Sequence, residues 1–131
     1  MRYLLDANAV IAMLRNSTSR LAQHARQERV GDVAISAIVT HELFYGASKS
    51  RRAARNIALV DALQFPIVEF DREDARQAGE VRAFLAARGM TIGPYDVLIA
   101  GQAVARKMIL VTHNTDEFRR VPELQIEDWE A

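Results

Sequence analysis

Short apolar runs alternate along this chain with longer amphipathic segments. Four runs have the aliphatic character of buried strands: residues 3–5, 33–36, 65–70 and 108–112. The third run has its proline near the start, where a strand tolerates a missing N–H. A shorter apolar segment, 124–126, lies near the C-terminus. The pattern predicts four strands and leaves 124–126 as a short extra segment.

The intervals between these runs place apolar residues at helical spacing, which predicts helices there. Asp71 and Asp74 form a capping-box pattern at the start of the longest helix. Pro94 suits the first turn of the most apolar helix. The predicted helices cover 9–14, a segment around 21–25, a segment from Ser36 or Thr40 to Gly46, 57–63, 71–89 and 94–105.

Strands that alternate with helices favour an α/β fold, with a central mostly parallel sheet of four or five strands and helices on both faces. The 131 residues suffice for one domain that buries about two-thirds of its unfolded surface. No repeat, low-complexity tract or linker divides the chain. A single domain over residues 1–131 is therefore predicted.

The amino-acid composition limits the expected cellular location and the kinds of chemical site that the chain can form. The absence of cysteine excludes thiolate metal sites, cysteine nucleophiles and disulfides, and it favours a cytoplasmic location. The 17 basic and 17 acidic residues cancel, so binding of a polyanion depends on local charge. No signal peptide and no apolar run of membrane length is visible, so no membrane association is expected.

Acidic side chains stand where predicted strands end or helices begin. Asp6 follows the first strand, Asp96 opens the apolar helix, and Glu42 lies on a helix among large apolar residues. Parallel strands bring their carboxyl ends to one edge of the sheet, where the polar run from Asn114 to Glu117 also falls. Singly, each residue has a simpler explanation as a helix cap, a first-turn acid, a solvated side chain or a turn residue. The case for a site rests on their convergence.

Clustered carboxylates repel one another at pH 7 unless one is protonated or a cation lies between them. Mg²⁺ and Mn²⁺ prefer oxygen ligands and are often held by a few carboxylates together with substrate phosphates. The predicted chemistry is therefore metal-dependent hydrolysis or transfer at phosphate. Histidines without ligand spacing and the lack of a glycine-rich phosphate loop argue against zinc proteases and nucleotide-binding enzymes.

The strongest local basic run follows the helix that carries Glu42. Its four cations are Lys49, Arg51, Arg52 and Arg55. Such a run is most often a solvated helix face, and it is also compatible with phosphate contacts.

The chain resembles PIN-domain ribonucleases, specifically the VapC-type toxins of bacterial toxin–antitoxin pairs, in four segments. These are YLLDAN at 3–8, THELFYG at 40–46, GPYDVLIA at 93–100, and the C-terminal run over 110–129. The segments occur in order over nearly the whole chain. Together they are a far more specific signal than any one of them.

The resemblance implies a metal-dependent endoribonuclease that cleaves RNA, such as tRNA, and so inhibits translation. It makes Asp6, Glu42 and Asp96 the catalytic acids that bind Mg²⁺ or Mn²⁺. The basic run named above is expected to contact the RNA.

Two positions depart from the family pattern. A fourth metal position, often aspartate in the family, falls on Asn114, so Asp116 or Glu117 is expected to support the metal. Ala7 stands where members usually carry a small hydroxyl residue, whose loss removes a contact to the metal or its water.

The resemblance also implies partners other than RNA. Members form homodimers and are neutralised by a small VapB-type antitoxin. The antitoxin's C-terminal segment wraps the toxin and can place an arginine in the acidic site.

Two other functions remain open from the residues. A PIN-like binding module, weakened by Ala7 and Asn114, would capture an antitoxin or RNA without cutting it. A small-molecule phosphatase with Asp6 as nucleophile is a weaker reading, because the usual second aspartate of such enzymes is Asn8 here.

Overall fold

The computed structural model describes residues 1–131 and contains an all-parallel sheet. Its five strands are β1 (Tyr3–Leu5), β2 (Val33–Ser36), β3 (Ile67–Val68), β4 (Ile109–Val111) and β5 (Gln125–Glu127). They lie in the order β3-β2-β1-β4-β5, so β1 is central. The predicted α/β fold with a parallel sheet of four or five strands is confirmed.

Seven helices connect the strands and cover the sheet. They are α1 (Ala7–Arg15), α2 (Arg20–Gln27), α3 (Ala37–Ser48), α4 (Ala53–Asp61), α5 (Arg72–Ala87), α6 (Pro94–Arg106) and α7 (Thr115–Phe118). None of these helices combines the length and the apolar character needed to cross a membrane.

The central strand β1 fixes the position of the residue that follows it. All three of its residues are buried, and successive strand residues face opposite sides, so both faces of the sheet are covered. Leu5 pairs with Ile35 on β2 and with Val111 on β4. Asp6 therefore leaves the sheet at the middle of its carboxyl edge.

Some predicted boundaries are wrong. The strand predicted over 65–70 contains only Ile67–Val68, because the chain then leaves the sheet edge and Asp71 caps α5. The helix predicted to end at Gly46 continues to Ser48, since Gly46 keeps an ordinary helical backbone. The segment predicted over 124–126 becomes β5, whose pairing with β4 is visible only in three dimensions.

Helices α5 and α6 pack so closely that their backbones almost touch. A Cβ atom added to Gly101 would lie 2.3 Å from the Cα atom of Ala78. An ion pair between the buried Asp74 and the partly exposed Arg106 joins the same helices, with 3.0 Å between the two side chains. Burial alone would raise the pKa of Asp74, but hydrogen bonds from Arg106, the Asp71 backbone and Gln102 outweigh it and lower the pKa. This packing holds α6 firmly in place.

The C-terminal segment is fastened to the sheet by Trp129, which is 4% exposed. Its ring stacks on that of His24 with 4.0 Å between centroids, and it packs in a T-shaped arrangement with the ring of Tyr3 at a centroid distance of 5.0 Å. The segment after β5 is thereby held beside the carboxyl edge of the sheet.

We expect Gly101→Ala to lower the free energy of unfolding by roughly 1–3 kcal/mol, because the new methyl group forces α5 and α6 apart. Chemical denaturation followed by circular dichroism measures the change. Gly79→Ala is the matched control, since its added Cβ meets nothing within 4 Å, and it should stabilise the protein by about 0.5–1 kcal/mol. Equal effects of the two substitutions would contradict the close-packing argument.

Candidate active site

Asp6 is fixed by both its backbone and its side chain. Its N–H donates to the carbonyl of Val111 at 3.1 Å, which extends the β1–β4 pairing by one residue. Its carboxylate accepts the N–H of Ala9 at 2.8 Å and so caps α1. The residue is 5% exposed. Asp6 is thus a helix cap, as the simpler explanation has it, and also a rigid acid at the sheet edge.

Glu42 and Asp96 come from the N-terminal halves of two further helices. Glu42 lies on the second turn of α3 and is half-buried, and its Oε1 is buried without any hydrogen-bond partner. Asp96 lies in the first turn of α6, three residues after Gly93, and is also half-buried. Leaving a buried carboxylate oxygen unpaired is costly. Glu42 therefore has no positively charged partner within the protein.

The charges of Asp6 and Asp96 act on Glu42, and the charge of Asp6 acts on Asp96. Burial raises the pKa of Glu42, and the charges of Asp96 and Asp6 raise it further. Burial, then Glu117 and Asp6, raise the pKa of Asp96 to about 6. Burial also raises the pKa of Asp6, against hydrogen bonds from Thr112 and Ala9. Near neutral pH the site holds more negative charge than its surroundings balance.

Glu117 belongs to this site and Asp116 does not. The Glu117 carboxylate accepts hydrogen bonds from the side-chain amide of Asn114 and, at 3.1 Å, from the N–H of Gly93. These bonds hold it near Asp96, whose pKa it raises. Asp116 is 97% exposed and faces only Arg119, at 3.7 Å. Of the two expected supporting acids, the structure places one at the site.

Asn114 is in the predicted place but makes a contact that the sequence does not reveal. It follows β4 and precedes α7, and its amide nitrogen donates to Glu117. Its N–H donates to the hydroxyl of Thr112 at 3.0 Å. Asn114 therefore orients the carboxylate of Glu117. This role does not depend on whether the side-chain oxygen of Asn114 binds a metal.

A second polar group lies at the same edge, and sequence reasoning missed it. The ligand atoms of His113, Asp128 and Glu130 all lie within 4.8 Å of one another, a tighter group than the three predicted acids form. Asp128 also raises the pKa of His113 through a hydrogen bond at 3.0 Å. Only the pairing of β5 with β4 brings these residues together, and short local patterns do not predict that pairing.

The basic run lies over the α3–α4 connection and the start of α4. All four cations are exposed, and none forms an ion pair: Lys49, Arg51, Arg52 and Arg55. The ammonium of Lys49 lies over the ring of Tyr45 at 4.8 Å. The run is thus a free positive surface.

The acids at the carboxyl edge suit a hard divalent cation. Asp6, Glu42 and Asp96 offer only oxygen donors, and none of them pairs with a basic side chain. The unpartnered oxygen of Glu42 is the clearest sign of a missing positive partner. Oxygen donors with excess negative charge are what Mg²⁺ and Mn²⁺ select.

Sequence comparison places this arrangement among known proteins. A family model described as "PIN domain" matches residues 3–124. The "tRNA(fMet)-specific endonuclease VapC" of Salmonella typhimurium is 36% identical over 131 residues, which are 98% of each chain. The "Ribonuclease VapC2" of Haemophilus influenzae is 34% identical over 131 residues, again 98% of each chain.

A solved structure supports the same family assignment. The DNA-bound VapBC complex from Salmonella typhimurium contains a chain that matches with a TM-score of 0.94 and 36% identity, over 98% of both chains. The resemblance indicated by the four sequence segments is therefore confirmed. This chain belongs to the PIN domain family and, within it, to the VapC group.

Proposed function

We propose that this chain is an endoribonuclease toxin that needs a divalent metal, cleaves tRNA and thereby inhibits translation. The observation that carries the metal dependence is the buried, unpartnered Oε1 of Glu42 among acids with raised pKa values. The tRNA substrate is supported by the relative from Salmonella typhimurium, which is named for cleavage of tRNA(fMet). An initiator tRNA is accordingly the first substrate to test.

Asp6, Glu42 and Asp96 are the proposed ligands of Mg²⁺ or Mn²⁺, and Asn114 is the proposed fourth. A bound divalent cation would make water a better nucleophile and balance charge at the attacked phosphate. The chain's own groups hold these acids in position. Asp6 is held rigidly by β4 and α1, and Asn114 and Gly93 fix the carboxylate of Glu117, whose charge adds to burial in raising the pKa of Asp96.

The partners follow from the same relatives. A VapB-type antitoxin is proposed because the matched structures are VapBC complexes. A homodimer and a cytoplasmic location remain predictions. The four exposed cations are proposed to contact RNA phosphates: Lys49, Arg51, Arg52 and Arg55.

Incubation of the purified chain with initiator tRNA and Mg²⁺ or Mn²⁺ tests the activity. Asp6→Asn and Glu42→Gln should each reduce the cleavage rate by about 100-fold or more, because they remove charge from the metal site. Asn caps helices as well as Asp does, so Asp6→Asn should still fold. Asp116→Asn is the matched control from the same edge and should stay within about twofold of the wild type.

Intact tRNA with a folded wild-type chain in both metals would contradict the proposed activity and favour the binding module. Cleavage by Glu42→Gln at the wild-type rate would contradict only the proposed role of Glu42.

Metal binding has a readout that does not depend on activity. We expect Mn²⁺ to raise the Tm progressively with its concentration, by the stabilisation that any ligand of the native state gives. Glu42→Gln should lose most of this rise, and Asp116→Asn should keep it. Differential scanning fluorimetry with and without EDTA measures the shift. An equal rise in Glu42→Gln would place the ion elsewhere, with His113, Asp128 and Glu130 as the first group to examine.

Without metal, the burial of Asp96 and its repulsion by Glu117 and Asp6 should make the free energy of unfolding depend on pH. Because folding raises the pKa of Asp96 from 3.8 to about 6, the folded state holds this proton more tightly, and the resulting stabilisation is lost as the pH rises from about 4 through 6. In EDTA, Asp96→Asn should therefore gain about 1–2 kcal/mol over the wild type between pH 4 and pH 7, after allowance for partial solvent exposure.

Urea denaturation at several pH values measures the difference between Asp96→Asn and the wild type. Asp116→Asn controls for the general effect of removing one negative charge. A difference that stays constant from pH 4 to pH 7 would contradict the raised pKa.

A further inference from the structure

Two exposed aromatic rings belong to the residues that precede two of the proposed catalytic acids in sequence. Tyr95 precedes Asp96 at the start of α6, and His41 precedes Glu42 on α3. Their ring centroids are 5.6 Å apart, with the ring planes tilted by 54°. Tyr95 is 45% exposed and His41 is also exposed. The helices that carry Glu42 and Asp96 therefore meet at a pair of rings exposed to solvent.

The exposed surface continues along α3 away from the acids. His41, Tyr45 and Lys49 follow at intervals of four residues, so they share one face of the helix over about 12 Å. Tyr45 is 62% exposed, and the ammonium of Lys49 lies 4.8 Å from its ring centre. Together with Tyr95 these three residues form what we call the aromatic stripe.

Positive charge lies at the far end of the aromatic stripe. Beyond Lys49 come three further exposed cations without ion pairs: Arg51, Arg52 and Arg55. The arginines that do pair with carboxylates lie elsewhere on the chain: Arg76, Arg106 and Arg119. The stripe thus runs from an acidic end, which suits a metal, to a basic end, which suits phosphate.

We propose that the aromatic stripe binds a single-stranded segment of the RNA substrate, with Tyr95 and His41 stacking on a base next to the cleaved phosphate. The inference rests on the proposed ribonuclease function and names the part of the RNA that it recognises. Exposed rings combined with unneutralised cations are the chemistry of single-strand binding, since every base offers a π-face and every nucleotide a negative charge. A base in a duplex has no free face, so cleavage falls in loops or unpaired ends.

Charge complementarity favours RNA over a protein as the occupant. A protein partner would need acidic groups facing the basic end and apolar groups facing the rings. An unpaired RNA strand supplies both its charges and its bases at every nucleotide. A second copy of this chain is the main alternative occupant of this surface, and the test below distinguishes it from RNA.

The test measures binding of a fluorescein-labelled unstructured RNA oligonucleotide by anisotropy in EDTA, where no metal supports cleavage. Tyr95→Ala and His41→Ala should each raise the Kd by roughly 5- to 100-fold. Tyr95→Phe and His41→Phe are the matched controls that keep a ring, and both should bind like the wild type. A fully paired RNA hairpin stem should compete at least 10-fold more weakly than the single strand.

The role of the basic end is tested by the salt dependence of RNA binding. Lys49→Ala should weaken binding and reduce the slope of log Kd against log salt by about one. Arg76→Ala, which removes a cation already held by two glutamates, should change neither quantity.

The outcomes separate the stripe from the ribonuclease proposal. Wild-type cleavage of tRNA together with unchanged RNA binding by Tyr95→Ala would overturn the stripe alone. Single-strand binding that Tyr95→Ala loses, without cleavage by the wild type, would support the stripe and overturn the ribonuclease. If light scattering shows that Tyr95→Ala dissociates a wild-type dimer, the face is an interface between copies and the stripe is overturned.

Discussion

The pairing of β1 with β2 on one side and β4 on the other is the constraint on which the site depends. Because every strand runs in the same direction, each strand delivers its following residues to one edge. Asp6 stands at the middle of that edge, and its N–H continues the β1–β4 hydrogen bonding. The acids from α3 and α6 gather around a position that the backbone itself has fixed.

Asp74 and Glu42 are both withdrawn from solvent, wholly or in part, and the structure treats their charges in opposite ways. Asp74 is buried with Arg106 and Gln102, and its pKa is lowered, so its charge contributes to holding α5 on α6. Glu42 is half-buried and forms no ion pair, and burial together with the charges of Asp96 and Asp6 raises its pKa. A fold that supplies an arginine to one acid and none to the other keeps the second available for a cation from outside. The firm α5–α6 packing at Gly101 then preserves the position of Asp96 despite the repulsion.

The parts of the fold that were predictable from sequence are those in which local pattern and tertiary burial agree. The strands β1, β2 and β4 are continuous apolar runs because both of their faces are covered, and the Asp71–Asp74 capping box forms as its spacing predicts. The strand β5 was not predicted, because only its neighbour β4 gives it a partner, and with it the positions of Asp128 and Glu130 were missed. The sequence also could not separate Glu117 from Asp116. The turn of α7 decides which of two adjacent acids faces Gly93.

The pairing of Leu5 with Val111 has a consequence for how the chain folds. The two strands are separated by most of the sequence, so their pairing closes a long loop, which makes it slow to form. Until the two strands pair, Asp6 has no β4 carbonyl to bind, and Asn114 and Glu117 are not held at the carboxyl edge. The acidic edge is therefore complete only in the fully folded sheet.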